Sequence, residues 1–148
     1  MRTSSPRGPQ DHHDTHGAPM TDTLTDTKQT ALDFYDLAFV QQNPTAAAEK
    51  FFGDEGYIQH NPQAPDGAEG FVAAISGLFG AFPDFKAEIK RVIVQDDLAV
   101  IHHRTQLNAE DNGSAVVDIF RVSNGKIVEH WDVVQPIPTE AQNDNTMF

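Results

Sequence analysis

Asp118 lies in the run Asp118-Ile119-Phe120-Arg121-Val122, which is followed across Asn124-Gly125 by Lys126-Ile127-Val128-Glu129-His130-Trp131-Asp132. Asn-Gly between two alternating apolar runs predicts a two-residue β-hairpin turn. Straight antiparallel pairing from that turn sets Val122 opposite Ile127, Phe120 opposite Glu129 and Asp118 opposite Trp131, all on one sheet face. Arg121, His130 and Asp132 then fall on the other face, toward solvent or a second subunit. In this register Asp118 and Glu129 are carboxyls in a wall of bulky apolar groups. Desolvation by Trp131 and Phe120 is expected to raise the pKa of Asp118, toward the range in which a carboxylate takes a proton from the carbon beside a carbonyl.

Such a base needs a partner for the charge that develops on the carbonyl oxygen. His102, in the alternation Val100, His102, Arg104, and His60, at the end of a short extended run, are candidates for hydrogen bonding that oxyanion or returning a proton. The neighbouring His103 competes with His102, because one bulge exchanges their faces. The substrate wall is expected from Trp131, Phe120, Arg104, Glu129 and Phe79. Structural readings stand beside each of these roles. Asp118 could simply pair with Arg121, Arg104 or a histidine, Glu129 could pair with Arg104, His60 and His102 could be satisfied core histidines, and the aromatic residues could be core.

His60, His102 and Asp118 are suitable metal-ligand types, but no His-x-x-x-His or His-Glu-x-x-His spacing preorganises them, and no dinucleotide, Walker or Gly-x-Ser-x-Gly motif is present, so neither metal nor cofactor is expected. His12, His13 and His16 form a histidine-rich tract read as a solvated tail.

The elements that must position these groups read as helices followed by strands. Residues 1–20 are rich in Pro, Gly, Ser and His without an apolar period and are expected to be a disordered tail, with Met20 a possible start of the natural chain. Over 24–42, Ala31, Phe34, Tyr35, Ala38 and Phe39 recur at helical spacing, and Asn43-Pro44 caps and opens a second, short helix. An extended piece over 57–62 precedes a third helix carrying Phe71, Ile75, Leu78, Phe79 and Phe82, which Pro83 stops. Strands are predicted over 85–94, 98–107, 115–122 and 127–134. The order predicts one α+β domain over 21–138, with a C-terminal tail over 139–148.

Composition narrows the partners. In 148 residues there are 22 acidic and 10 basic side chains, a formal charge of -12, which disfavours nucleic acid and anionic membrane surfaces. Cysteine is absent, excluding disulfides and thiolate chemistry. No apolar run reaches the roughly 20 residues of a membrane span and no secretory h-region is visible, so a cytoplasmic protein is expected. Val117, Ile119 and Val128 on the outward face predict a homodimer.

The run from Asp118 to Asp132, with Tyr57-Ile58-Gln59-His60-Asn61-Pro62 and Asp97-Leu98-Ala99-Val100-Ile101-His102 ahead of it, resembles the SnoaL-like polyketide cyclases over about residues 24–138. The resemblance implies a nuclear-transport-factor-2-like α+β cone, a curved antiparallel or mixed sheet wrapped around N-terminal helices and enclosing a pocket, often in a dimer. It further implies a strand aspartate, Asp118 by position, acting as acid/base in a metal-free intramolecular aldol condensation on a small hydrophobic carbonyl compound, and it favours His102 as its helper. The same fold hosts isomerases, dehydratases and non-enzymes, so a small-molecule carrier using the same pocket is the competing reading.

Overall fold

The computed structural model describes residues 20–148; the histidine tract and the expected tail before Met20 lie outside the described residues. Helix α1 spans Met20–Tyr35 and continues as a π-helical turn over Asp36–Val40, closed by Gln41 N–H donating to the Asp36 carbonyl at 2.8 Å. Helix α2 covers Pro44–Phe51. Asn43 caps it, its side chain accepting from Ala46 N–H at 3.1 Å, while proline at the first turn sacrifices no internal hydrogen bond. Strand β1, Ile58–Gln59, leads to helix α3, Gly67–Ala81, and strands β2 (Lys86–Gln95), β3 (Leu98–Gln106), β4 (Ser114–Ser123) and β5 (Lys126–Pro136) complete the chain.

The strands form one five-stranded sheet in the order β1-β5-β4-β3-β2, antiparallel except where β1 runs parallel to β5. This is the expected α+β arrangement of N-terminal helices against a mixed sheet. Phe34 of α1 holds the layers together. Its ring lies 5.4 to 5.9 Å from those of Phe51, Phe52, Phe71 and Phe120, so both later helices and β4 meet on one buried side chain. No helix among the described residues is long and apolar enough to cross a membrane.

Two registers decide which polar groups turn inward. Ser123 pairs with Lys126 and Val122 with Ile127, as the Asn124-Gly125 turn demands, and both turn residues take positive φ. The ladder then shifts, and Arg121 pairs with Glu129, Phe120 with His130, Ile119 with Trp131 and Asp118 with Asp132. Val128 is the extra residue of a β-bulge, and beyond it every side chain of β5 changes face. The straight register expected from the turn is therefore corrected. Glu129 and Trp131 stand outside, and His130 and Asp132 stand inside with Asp118. On β3, Ile101 pairs with Asp118 and His103 with Val116, which sends His103 inward and His102 outward.

Candidate functional site

Asp118 is 6 % exposed on β4, and both of its oxygens are taken by imidazoles. His103 Nε2, from the diagonal position on β3, lies 2.6 Å from Oδ2, and His130 Nε2, from β5, lies 2.8 Å from Oδ1. Each imidazole is held from behind. Tyr35 Oη is 2.7 Å from His103 Nδ1, and Gln59 Oε1 is 2.8 Å from His130 Nδ1. The buried chain thus runs Tyr35, His103, Asp118, His130, Gln59 and on to Tyr57, whose hydroxyl accepts from Gln59 Nε2 at 3.1 Å.

Donors and acceptors along this chain can be assigned. Gln59 Oε1 also accepts the backbone N–H of Asn61 at 2.9 Å, which identifies that atom as the oxygen, so His130 Nδ1 must carry a proton and donate it. His130 Nε2 and Asp118 Oδ1 therefore share one further proton. His103 satisfies its side as a neutral ring, donating from Nε2 to Asp118 and accepting from Tyr35 Oη at Nδ1. Burial opposes ionisation of Asp118, but the hydrogen bonds from His103 and His130 outweigh it and hold the carboxyl at about 2. This reverses the upward shift expected from an apolar wall. Desolvation is present, but it is overcome by two donors that the straight register had placed elsewhere. The phenols of Tyr35 and Tyr57 are pushed well above their ordinary value, by burial first and then by the negative charge of Asp118.

Asp132 lies beside this chain. Asn61 Nδ2 donates to both of its oxygens, at 3.0 and 2.8 Å, and Asn61 Oδ1 accepts from Gln63 N–H at 2.8 Å, which fixes the amide orientation. Ligating atoms of Asp118, His130 and Asp132 lie within 4.8 Å of one another, the one group among the described residues with the spacing of a cation site. Holding an ion there would require giving up hydrogen bonds these side chains already make.

These groups line one end of a cavity of about 780 Å³ between the sheet and the helices. Phe39, Phe71, Ile75, Leu78 and Phe85 line its apolar part, and neither lysine nor arginine contributes to the wall. A cavity of this size and polarity suits a mostly apolar, uncharged molecule with a few polar atoms.

The other residues singled out from the sequence are distributed as follows. Phe120 lines the cavity, its ring stacked 4.9 Å from that of His130. Phe79 packs 5.4 Å from Phe85 and does not line the cavity. His60, Glu129 and Trp131 gather on the outer face, where His60 stacks on Trp131 at 4.7 Å and binds Glu129 at 2.8 Å. Glu129 also accepts from Arg121 at 2.9 Å, which, ahead of the His60 contact, lowers its pKa. His102 is half-buried on the outer face, 2.7 Å from Arg91 and 5.5 Å from the ring of Phe148, and burial followed by the Arg91 charge keeps its pKa low. Arg104, on the same face, donates to the Asn112 carbonyl at 2.8 Å. The structure thus brings Asp118 and Phe120 together with His103, and it does not bring His60, His102, Arg104, Glu129 or Trp131 to them.

Gln59, Asn61, Tyr35, His130 and Asp132 belong to the site although none is among the site residues expected from the sequence. One signal was available: in the extended run 57–62, Tyr57, Gln59 and Asn61 alternate with His60, and choosing His60 meant choosing the face away from them.

A family model described as SnoaL-like polyketide cyclase matches residues 29–143. A solved putative SnoaL-like polyketide cyclase from Jannaschia sp. superposes with a TM-score of 0.64 at 21 % identity, over 85 % of this chain and 91 % of that one. A putative polyketide cyclase from Bacillus cereus gives 0.62 at 22 % identity over 74 % of each chain. An NTF2-like protein of unknown function from Mesorhizobium loti gives 0.62 at 27 % identity, over 77 % of this chain and 94 % of that one. None of the curated proteins matches.

Proposed function

The chain belongs to the SnoaL-like polyketide cyclase family, and from that premise we propose that its cavity carries out acid/base chemistry beside a carbonyl, of the intramolecular aldol type, on a small apolar molecule. The observation that carries this reading is Asp118 flanked by two imidazoles at the polar end of an apolar cavity. Deprotonation beside a carbonyl creates an enolate, and the largest lever on that step is a donor fixed in advance where the negative charge will appear. The proton shared by His130 and Asp118 is such a reserve, held in place by Gln59 on one side and by His103 and Tyr35 on the other. The hydrogen bonds from the two rings in turn keep Asp118 ionised. A wall without lysine or arginine supports an uncharged substrate over a carboxylate or phosphate, and no cofactor enters the scheme. We further propose a homodimer built on the outer sheet face.

One observation favours a second reading, in which the cavity only binds. An aspartate held at about 2 and fully hydrogen-bonded is also what a structural ion pair would show. The two are separated by following deuterium incorporation next to the carbonyl of a bound cyclic ketone. In the catalytic reading Asp118→Asn lowers that exchange by about 10² to 10⁴ with binding retained. Unchanged exchange in a folded Asp118→Asn protein would leave only the binding reading.

A further inference from the structure

Segment 137–148 forms an arch over the outer face of the sheet. At one end Ile137 N–H donates to the Gly113 carbonyl at 2.9 Å, and at the other Met147 and Phe148 are half-buried, while every residue of 138–146 is exposed. Among the described residues, the hydrogen bonds of 139–148 stay within the segment, from Asn145 N–H to Asn143 Oδ1 at 2.9 Å and from Phe148 N–H to Thr146 Oγ1 at 3.3 Å. Beneath the arch lies a second cleft of about 1000 Å³, with Ala115, Val117 and Val133 in its floor. Strand alternation keeps it apart from the inner cavity, and no residue of the sheet lines both.

The two walls differ in charge. The inner cavity has neither lysine nor arginine, whereas Lys90, His102 and Arg104 all line the cleft. The pairing of β2 with β3 slips between Ile89 and Arg91, and Lys90 is the extra residue of that bulge, so Lys90 and Arg91 are both exposed beside His102. Lys90 Nζ lies 5.2 Å from the centre of the Phe148 ring, which is 5.5 Å from that of His102. Arg91 Nη1 is 2.7 Å from His102 Nδ1, and a guanidinium has no acceptor, so Nδ1 accepts and the neutral ring carries its proton on Nε2. That Nε2–H has no partner among the described residues. Arg104, two residues further along β3, carries at Nε the one buried side-chain nitrogen or oxygen among the described residues without a hydrogen bond. An N–H left in this state costs free energy that an incoming oxygen recovers. Glu140 is the one acidic side chain in the cleft wall, and Glu88, exposed outside it, pairs with Lys90 at 2.9 Å.

We propose that this cleft is a second binding site, for an apolar molecule that carries a single carboxylate. The carboxylate accepts from Lys90 Nζ and His102 Nε2–H beside the Arg104 guanidinium, and the apolar body lies on Val117 and Val133 under Phe148. One negative charge balances the wall, in which Lys90 and Arg104 stand against Glu140. Ile93 and Ile119 lie outside the cleft, so its occupation leaves them open to a second copy. The site is independent of the chemistry of the inner cavity.

The test uses the full chain and two probes of similar shape and different charge, 4-phenylbutyrate and 4-phenylbutan-1-ol. Each is titrated at about pH 7.5, where the carboxylate is ionised, with the protein amide and histidine ring signals followed by NMR. Phenylbutyrate should give saturable shifts centred on His102, Val117 and Phe148, and the alcohol should bind at least about 10-fold more weakly. Lys90→Gln and His102→Phe, both outside the core, should each weaken phenylbutyrate by about 5-fold or more. Equal binding of the two probes, shifts centred instead on Phe71 and His130 of the inner cavity, or affinity unchanged in both variants would overturn the proposal. Absence of saturable phenylbutyrate binding up to about 10 mM would overturn it as well.

Discussion

Gln59 Oε1 accepts His130 Nδ1–H at 2.8 Å, from a residue that the parallel ladder sets directly beside His130 on the neighbouring strand. That contact decides which ring nitrogen must carry a proton, and so places the mobile proton at Asp118. Gln59→Leu should let His130 settle as a neutral ring with its only proton toward Asp118. Exchange should fall by roughly 10-fold or more while ketone binding is little changed, and the orphaned Asn61 N–H should cost about 1 to 3 kcal/mol in urea unfolding. A variant that keeps full exchange would show that the tautomer of His130 is irrelevant.

Asp118 tests electrostatics and packing separately. An Asn side chain there can accept from His103 Nε2 and donate to a neutral His130 Nε2, so Asp118→Asn keeps both contacts and should cost at most about 1 kcal/mol at neutral pH. Asp118→Leu leaves both imidazoles facing an apolar group and should cost about 3 to 5 kcal/mol. Thermal or urea unfolding of the two variants side by side measures the difference.

The same carboxyl predicts a pH dependence. Its pKa is depressed from 3.8 to about 2 on folding, so its contribution to stability is complete above about pH 4 and is lost as pH falls toward 2. A shift of this size corresponds to about 2 kcal/mol. Over that window the wild-type protein should lose stability relative to Asp118→Asn by this amount, measured by urea unfolding at each pH. A difference that stays constant down to pH 2 would contradict the depressed value.

Val128 is the residue whose presence sets the inner face of β5. Deleting it would restore straight pairing, driving Glu129 and Trp131 inward and carrying His130 and Asp132 away from Asp118. The deletion should cost at least about 3 kcal/mol through an unpaired buried charge and a disrupted core, or prevent folding. Val128→Ala, which keeps the residue count and therefore the bulge, should lower the melting temperature far less.

The outer face carries Val117 and Ile119 on β4, and Ile93 and Val133, which are 59 % and 66 % exposed. Such a surface is expected to pair with a second copy. Light scattering at micromolar concentration should give twice the chain mass, and Val133→Glu should return it to the monomer value.

The elements were legible in the sequence because each rests on local chemistry: helical spacing of Ala31, Phe34, Tyr35 and Ala38, the Asn43 cap with Pro44, Pro83 as a stop, and Asn124-Gly125 as a turn. Asp118 and Phe120 were legible as inward groups because β4 alternates without interruption from Val116 to Ser123. What tertiary structure decided was parity. One extra residue at Val128 carries no sequence mark, yet it exchanges Glu129 and Trp131 for His130 and Asp132. The choice between His102 and His103 rests on pairing Ile101 with Asp118, a contact between strands that neither strand encodes alone. The direction of the Asp118 shift follows from the same cause. From the sequence its neighbours were apolar and desolvation ruled, whereas in the fold two imidazoles brought from β3 and β5 reverse the sign.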